Sequence, residues 1–258
     1  NYLQKRLSEV CKSIQIQFLD SLQFINTKKD LEEFFKPDKK SFFQTTFYKQ
    51  QRKNLDILMD KNQEPEGGKW TYDSENRKKF PKGKTAPSIQ FPEATKHWKE
   101  AVEYTEKHFS KNPGQISEYP IYPLDFKSAQ EWLDQFFEYR FYDFGIYEDA
   151  IVKNESFLNH SVISPLLNNG LLIPTKVIDQ ALNFAKKEDI PINSTEGFVR
   201  QIIGWREFIR GMYESKGTYS RTKNYWEFDR KIPASFYDGT TGIDPIDQTI
   251  KKILKTGY

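Results

Sequence analysis

The sequence predicts the tail of an α/β domain followed by an all-α domain, and three observations predict it. The first 40 residues run helix, apolar alternating segment, helix, which is the order of α/β units. Connectors rich in Gly, Pro and Asn, 60–92 and 112–123, then interrupt the chain. From Ser128 onward the apolar period is helical almost throughout, and no convincing strand follows residue 112.

Taken in order, Tyr2–Lys12 reads as an amphipathic helix and Ile14–Leu19 as a strand. Thr27 or Lys28 opens a helix that stops near Pro37, and 41–59 is a long helix or helix pair with basic residues on one side. Asp60–Pro81 is an irregular loop with Trp70 and Tyr72 as its anchors, and 82–92 is a polar linker. Further helices follow over Glu93–Phe109, Ala129–Arg140 and Val177–Lys187.

The chain is organised around Asn193–Tyr213, NSTEGFVRQIIGWREFIRGMY, which reads as one helix. Asn193 is placed to cap it, with Glu196 reaching back as a capping box. At about 100° per residue, Phe198, Ile202, Trp205, Ile209 and Met212 share one side, expected to be core. Arg206 and Arg210 flank that face, while Glu207 and Arg200 point roughly the opposite way. Gly204 and Gly211 leave a bare strip for another backbone or a flat ligand. Gln201 sits inside the apolar arc, where a buried amide needs a partner and a ligand is one candidate.

A second stretch, Tyr147–Pro174, places His160, Ser161 and Ser164 around the start of a short helix with Pro165 at its first position. Asn169-Gly170 ends that helix. Free N–H groups and small hydroxyls there suit an anion such as a diphosphate. Ordinary capping is by itself sufficient to account for the two serines, and on local physics it is the favoured reading.

Composition sets outer limits. Among 258 residues are 21 Phe and 14 Tyr, a supply that suits a stacking site or simply fills cores. The net charge of +3 permits nucleic-acid binding without demanding it. The single cysteine, Cys11, rules out an intrachain disulfide. His97, His108 and His160 lack metal-ligand spacing, so no metal site is expected. No apolar run reaches the ~20 residues of a membrane span, and no signal-peptide pattern opens the chain. A cytoplasmic monomer is the expectation. The start at NYLQKRL and the end at GY suggest an internal portion of a longer protein.

The string GFVRQIIGWREFIRG resembles the photolyase/cryptochrome superfamily, and RQIIGWREFIRG in particular its photolyase-related, bacterial (6-4) photolyase-like branch. MDKNQEPEGGKWTYDSENRK resembles the segment by which that branch leaves its α/β domain. LNHSVISPLLNNGLL is similar to the flavin-diphosphate motif T-S-x-L-S-P-x-L-x-x-G, with His160 in place of Thr and Ile163 in place of Leu.

The resemblance implies a fold of three parts. Residues 1–88 would be the C-terminal part of a Rossmann-like antenna domain with its exit loop. Residues 89–127 would be a connecting helix and linker, and 128–258 the first half of a helical FAD-binding domain. FAD is the implied cofactor, held by Tyr147, His160, Ser161, Val162, Ile163, Ser164, Gln201 and Arg206. A second, antenna chromophore is compatible with the family. Damaged DNA is the implied partner, met by Trp205, Arg210, Lys216, Arg221 and also Lys223. Lys78, Lys79 and Lys82 in the exit loop are further candidates. Tyr237 stands where some relatives have a Trp that relays electrons to the flavin. Pro245 stands where cluster-bearing members place their first cysteine, which argues against an iron–sulfur cluster.

The activity so implied is light-driven, FAD-dependent DNA repair of (6-4) photoproducts or pyrimidine dimers. The alternative is a cryptochrome-type blue-light photoreceptor, and repair of a lesion-bearing oligonucleotide separates the two. A helical interaction module without a cofactor is a third reading; it predicts a colourless protein.

Overall fold

The computed structural model describes residues 2–256, so Asn1 and Gly257–Tyr258, which end the two outer predicted parts, lie outside the described residues. Helices dominate, and no strand longer than the isolated Met59–Pro65 bridge occurs among the described residues. The predicted strand Ile14–Leu19 is irregular, with Ile14 and Leu19 65% and 80% exposed. An apolar alternating run becomes a strand only when a neighbour pairs its backbone and covers one face; here nothing does. Among the described residues of the first 88, helices and loops are found and no sheet, so the α/β part of the expectation is not seen.

Helix α1 (Tyr2–Val10) buries no residue. Helix α2 (Lys28–Phe34) starts on Thr27, whose hydroxyl accepts from the Asp30 N–H while Asp30 reaches back to Thr27, a complete capping box. Helix α3 (Gln44–Leu55) ends on Asp56 in the left-handed region. Its Arg52 is fully buried and donates to the carbonyls of Ile57, Leu58, Lys69 and Trp70, which pins the exit loop. That loop contains two short 3₁₀ turns, Glu66–Gly68 and Asp73–Glu75; of its expected anchors Tyr72 is buried and Trp70 half-buried.

Helix α4 (Lys96–Phe109) is capped by Thr95. Helix α5 (Phe126–Tyr139) is capped by Asp125 and buries Ala129, Trp132, Leu133, Phe136 and Phe137, a stripe at helical spacing. The short α6 (Phe141–Phe144), α7 (Ser164–Asn169) and α8 (Pro174–Lys187) close over the same core. Phe136, Phe141, Phe144 and Phe198 meet there at ring separations of 5.0–5.8 Å. Helices α11 (Ser235–Asp238) and α12 (Asp244–Thr256) end the chain's described part.

The organising helix is continuous from Ile192 to Thr222 but not uniform. It consists of α9 (Ile192–Val199), a π-helical stretch over Arg200–Arg206, and α10 (Glu207–Thr222). The start differs from the sequence reading. Pro191 precedes the first turn with no side-chain cap, and the Asn193 amide instead pairs with Asn76. Glu196, fully buried, accepts the Tyr72 N–H at 3.0 Å. Tertiary partners have displaced the expected capping box.

The expected core face holds at its two ends, with Met212 packed against a second core, but not in its middle. Phe198 and Ile202 are buried, but Trp205 and Ile209 are 41% and 58% exposed. The buried line after Arg200 runs through Ile203, Gly204, Glu207, Phe208 and Gly211 instead. Each π turn holds more residues than an α turn and so rotates the helix faces beyond it. Gly204 faces Gln44 and Tyr48, and Gly211 faces Phe35, so the bare strip receives side chains of the chain itself rather than a flat ligand. Phe208 thereby joins Leu31, Phe34, Phe35 and Phe47 in a second core.

Candidate flavin and DNA groove

The rotated face of the organising helix forms one wall of a groove of about 1210 Å³. Gln201, Trp205, Arg206, Ile209 and Arg210 line this wall. The loop before α7 forms the opposite wall through Ser156, Phe157 and His160–Ser164, and Phe144 and Phe198 also line the groove. Trp132 fixes that loop from behind by donating its indole N–H to the Ser161 carbonyl at 3.0 Å. Val162 is held at φ +55°, a strained left-handed setting for a β-branched residue.

Two cations stand at one end. The Arg206 and Arg210 guanidinium carbons lie 4.2 and 4.4 Å from the Phe24 ring centroid. Arg206 donates to the carbonyls of Gln23 and Leu167 and to Asn168 Oδ1. Burial pushes its guanidinium below the usual range; neighbouring Glu207 opposes this and Arg210 adds to it. Arg206 forms no salt bridge with a carboxylate among the described residues, whereas Arg210 pairs with Glu214 at 2.9 Å.

Carboxylates stand elsewhere in the groove. Glu148 accepts from Gln201 Nε2, from Asn76 Nδ2 at 3.1 Å and from Arg200 at 3.4 Å. Arg200 is shared with Asp73 and Glu196. Burial, only partly offset by the Arg200 charge, raises the Glu148 carboxyl above its ordinary pKa. His160 Nε2 lies 2.9 Å from the Glu148 carbonyl oxygen, which holds the ring against that turn.

Most of the residues expected to hold a flavin or a lesion therefore meet here: His160, Ser161, Val162, Ile163, Ser164, Gln201, Trp205, Arg206 and Arg210. Others do not line the groove. Tyr147 packs behind it, 5.1 Å from the Phe80 ring and under the Lys84 ammonium. Lys216 donates to the Pro37 carbonyl at 2.9 Å, and Arg221 and Lys223 are exposed at the end of α10. Tyr237 is 66% exposed on α11, and Pro245 begins α12. Sequence reasoning missed Glu148 and Phe24. Glu148 adjoins a singled-out tyrosine and was within reach; Phe24 carries no local signal.

The donor set suits a molecule that joins an anionic diphosphate to a flat aromatic ring. Arg206 is a half-buried cation without a salt-bridge partner among the described residues, the serines offer hydroxyls, and Phe144, Phe157, Phe198 and Ile202 offer apolar walls. No group of His, Cys, Asp and Glu among the described residues is arranged to hold a metal ion. No helix among them is long and apolar enough to cross a membrane.

A family model described as deoxyribodipyrimidine photo-lyase-related protein matches residues 1–120. The chain is 29% identical over 245 residues to a (6-4) photolyase of Agrobacterium fabrum (strain C58 / ATCC 33970), covering 95% of this chain and 48% of that protein. It is 38% identical over 116 residues to the uncharacterized protein R853 of Acanthamoeba polyphaga mimivirus, covering 43% of this chain and 86% of R853. It is 40% identical over 84 residues to R852 of the same virus, covering 31% of this chain and 42% of R852. The chain thus spans about half the length of the (6-4) photolyase.

Proposed function

We propose a photolyase-type function on one premise: the chain belongs to the deoxyribodipyrimidine photo-lyase-related protein family. In this reading the groove binds FAD and a DNA photoproduct. When bound, reduced FAD would supply, under blue light, the electron that splits a (6-4) photoproduct or pyrimidine dimer. The chain's residues bind, orient and exclude water. Arg206 and the Ser161 and Ser164 hydroxyls take the diphosphate, with His160, Val162 and Ile163 shaping the loop around it. The Phe144 and Phe198 rings keep water from the flavin face. Gln201 and Trp205 meet the flavin or the flipped-out lesion, and Arg210, Lys216 and Arg221 take DNA phosphates. Tyr237 serves as an electron relay. Tyr147 is left out of the contact set because it packs against Phe80 behind the groove.

The observation that carries this reading is that Arg206, half-buried and without a salt-bridge partner among the described residues, lines the same groove as Ser161 and Ser164. The test is titration of the purified protein with FAD, followed by flavin absorption and fluorescence. The expected result is saturable binding that Arg206→Ala weakens by ~10-fold or more, the value of a charge-assisted contact. A protein that ignores FAD would overturn the proposal. Repair of a lesion-bearing oligonucleotide under blue light then separates a photolyase from a cryptochrome-type photoreceptor.

A further inference from the structure

Glu148 and Gln201 come from different parts of the chain and meet inside the groove. The Glu148 side chain is only 13% exposed. Its Oε2 takes Asn76 Nδ2 and Arg200, and its Oε1 takes Gln201 Nε2. An ionised carboxylate can only accept, so the NH₂ end of the amide must turn toward it. The other end, Gln201 Oε1, has no hydrogen-bond partner among the described residues, and Gln201 lines the groove. An amide free in solution presents either end; this one presents only an acceptor.

We propose that Glu148 is a positioning residue that locks the Gln201 carbonyl oxygen toward the groove, and that the groove thereby selects a ligand ring edge bearing an N–H donor. The chemistry so recognised is a cyclic imide, CO–NH–CO. Both a flavin ring and a thymine carry it. Arg200 is what keeps the clamp ionised: it lies 3.4 Å from Glu148, and its own position is fixed by Glu196 at 3.2 Å and Asp73 at 3.5 Å. A ligand with a bare acceptor at that edge would face oxygen against oxygen and lose affinity. This inference rests on the proposed flavin and DNA groove and adds the sign of one contact within it.

The test compares matched ligand pairs on the 258-residue chain: FAD against N3-methyl-FAD, and a thymine oligonucleotide against its N3-methylthymine counterpart. The expected result is a preference of ~10-fold or more for the N–H member of one pair, the scale of a lost hydrogen bond plus an orphaned acceptor. Whichever pair shows it identifies the source of the imide. Gln201→Leu should abolish the preference. Glu148→Gln keeps the shape but can pair with either end of the Gln201 amide, so it should shrink the preference while leaving thermal stability near the wild-type value. Equal binding of both members of both pairs overturns the inference and leaves FAD binding itself standing. If FAD does not bind at all, the flavin reading fails, and the oligonucleotide pair alone decides the inference.

Discussion

Glu207 Oε2 accepts both the backbone N–H of Asn26, at 3.1 Å, and its side-chain amide, at 2.9 Å. The other oxygen accepts the Ile25 N–H at 2.9 Å. One fully buried carboxylate on α10 thus satisfies three donors from a segment some 180 residues earlier. The segment so held carries Phe24, against which Arg206 and Arg210 pack. The charge that the sequence placed opposite the apolar face is what fastens one end of the groove.

Replacing Glu207 with Gln keeps the volume but turns one end into a donor facing other donors. At least one buried N–H loses its acceptor, at about 1–3 kcal/mol per orphaned group. Glu207→Gln should lower stability to urea by ~3 kcal/mol and make the 23–26 segment newly sensitive to proteolysis. A stability within ~0.5 kcal/mol of wild type would mean that the three bonds do not hold the segment.

Two glycines on α10 should respond with opposite sign to the same change. An added Cβ at Gly211 would lie 2.1 Å from Phe35 Cε2, inside the second core. Overpacking of about 1–3 kcal/mol then outweighs the ~1 kcal/mol helix preference of Ala. At Gly217 the nearest atom is Tyr213 Cδ2 at 3.2 Å, and Tyr213 is 63% exposed and free to yield. Gly211→Ala should lower the melting temperature and Gly217→Ala should raise it.

The legible part of the fold is the part whose residues answer to near neighbours. The α5 stripe and the start of α2 at Thr27 are set by neighbours within one or two turns. The helical part of the chain could therefore be read directly. Ile14–Leu19 could not, because a strand depends on a pairing partner that local sequence does not announce. The organising helix was legible as a helix. The fate of Trp205 and Ile209 was not, because a π stretch shifts the phase that a fixed 3.6-residue period assumes. The serine loop, Gln201 and Arg206 came from motif resemblance and meet in space. Phe24 joins them through contacts distant in sequence, the hydrogen bonds that hold its segment and the Arg206 and Arg210 guanidinium groups on its ring.

Val162 offers a test of strain in the serine loop. Its φ of +55° costs an L-residue about 1–2 kcal/mol that glycine does not pay. Comparing Val162→Gly with Val162→Ala cancels most of the lost packing. Val162→Gly should be the more stable of the two by ~1 kcal/mol in chemical denaturation, despite the greater freedom of Gly in the unfolded chain. The reverse order would place the residue in an ordinary backbone conformation in solution.

Glu148 should leave a signature in stability against pH. Burial, the largest cause, raises its folded-state pKa above the ordinary 4.5, against the Arg200 charge and the Asn76 and Gln201 hydrogen bonds; neighbouring Asp149 adds to the rise. A raised carboxyl takes up a proton in the folded state before the unfolded chain does. Its contribution to stability therefore increases as pH falls from above the folded pKa toward 4.5, and is constant beyond either limit. Asp30, Asp125, Asp244 and Asp247 act oppositely, each held below 3.8 by hydrogen bonds from Thr27, Ser128, Lys153 and Thr241 respectively. Their contribution is lost only as pH falls below about 3.8, so the two windows do not overlap. The Glu148→Gln variant cannot titrate. The difference in unfolding free energy, wild type minus Glu148→Gln, should thus rise between pH 7 and about 4.5 and then level off. A flat difference across that window would show that Arg200 neutralises Glu148 fully and that burial does not dominate.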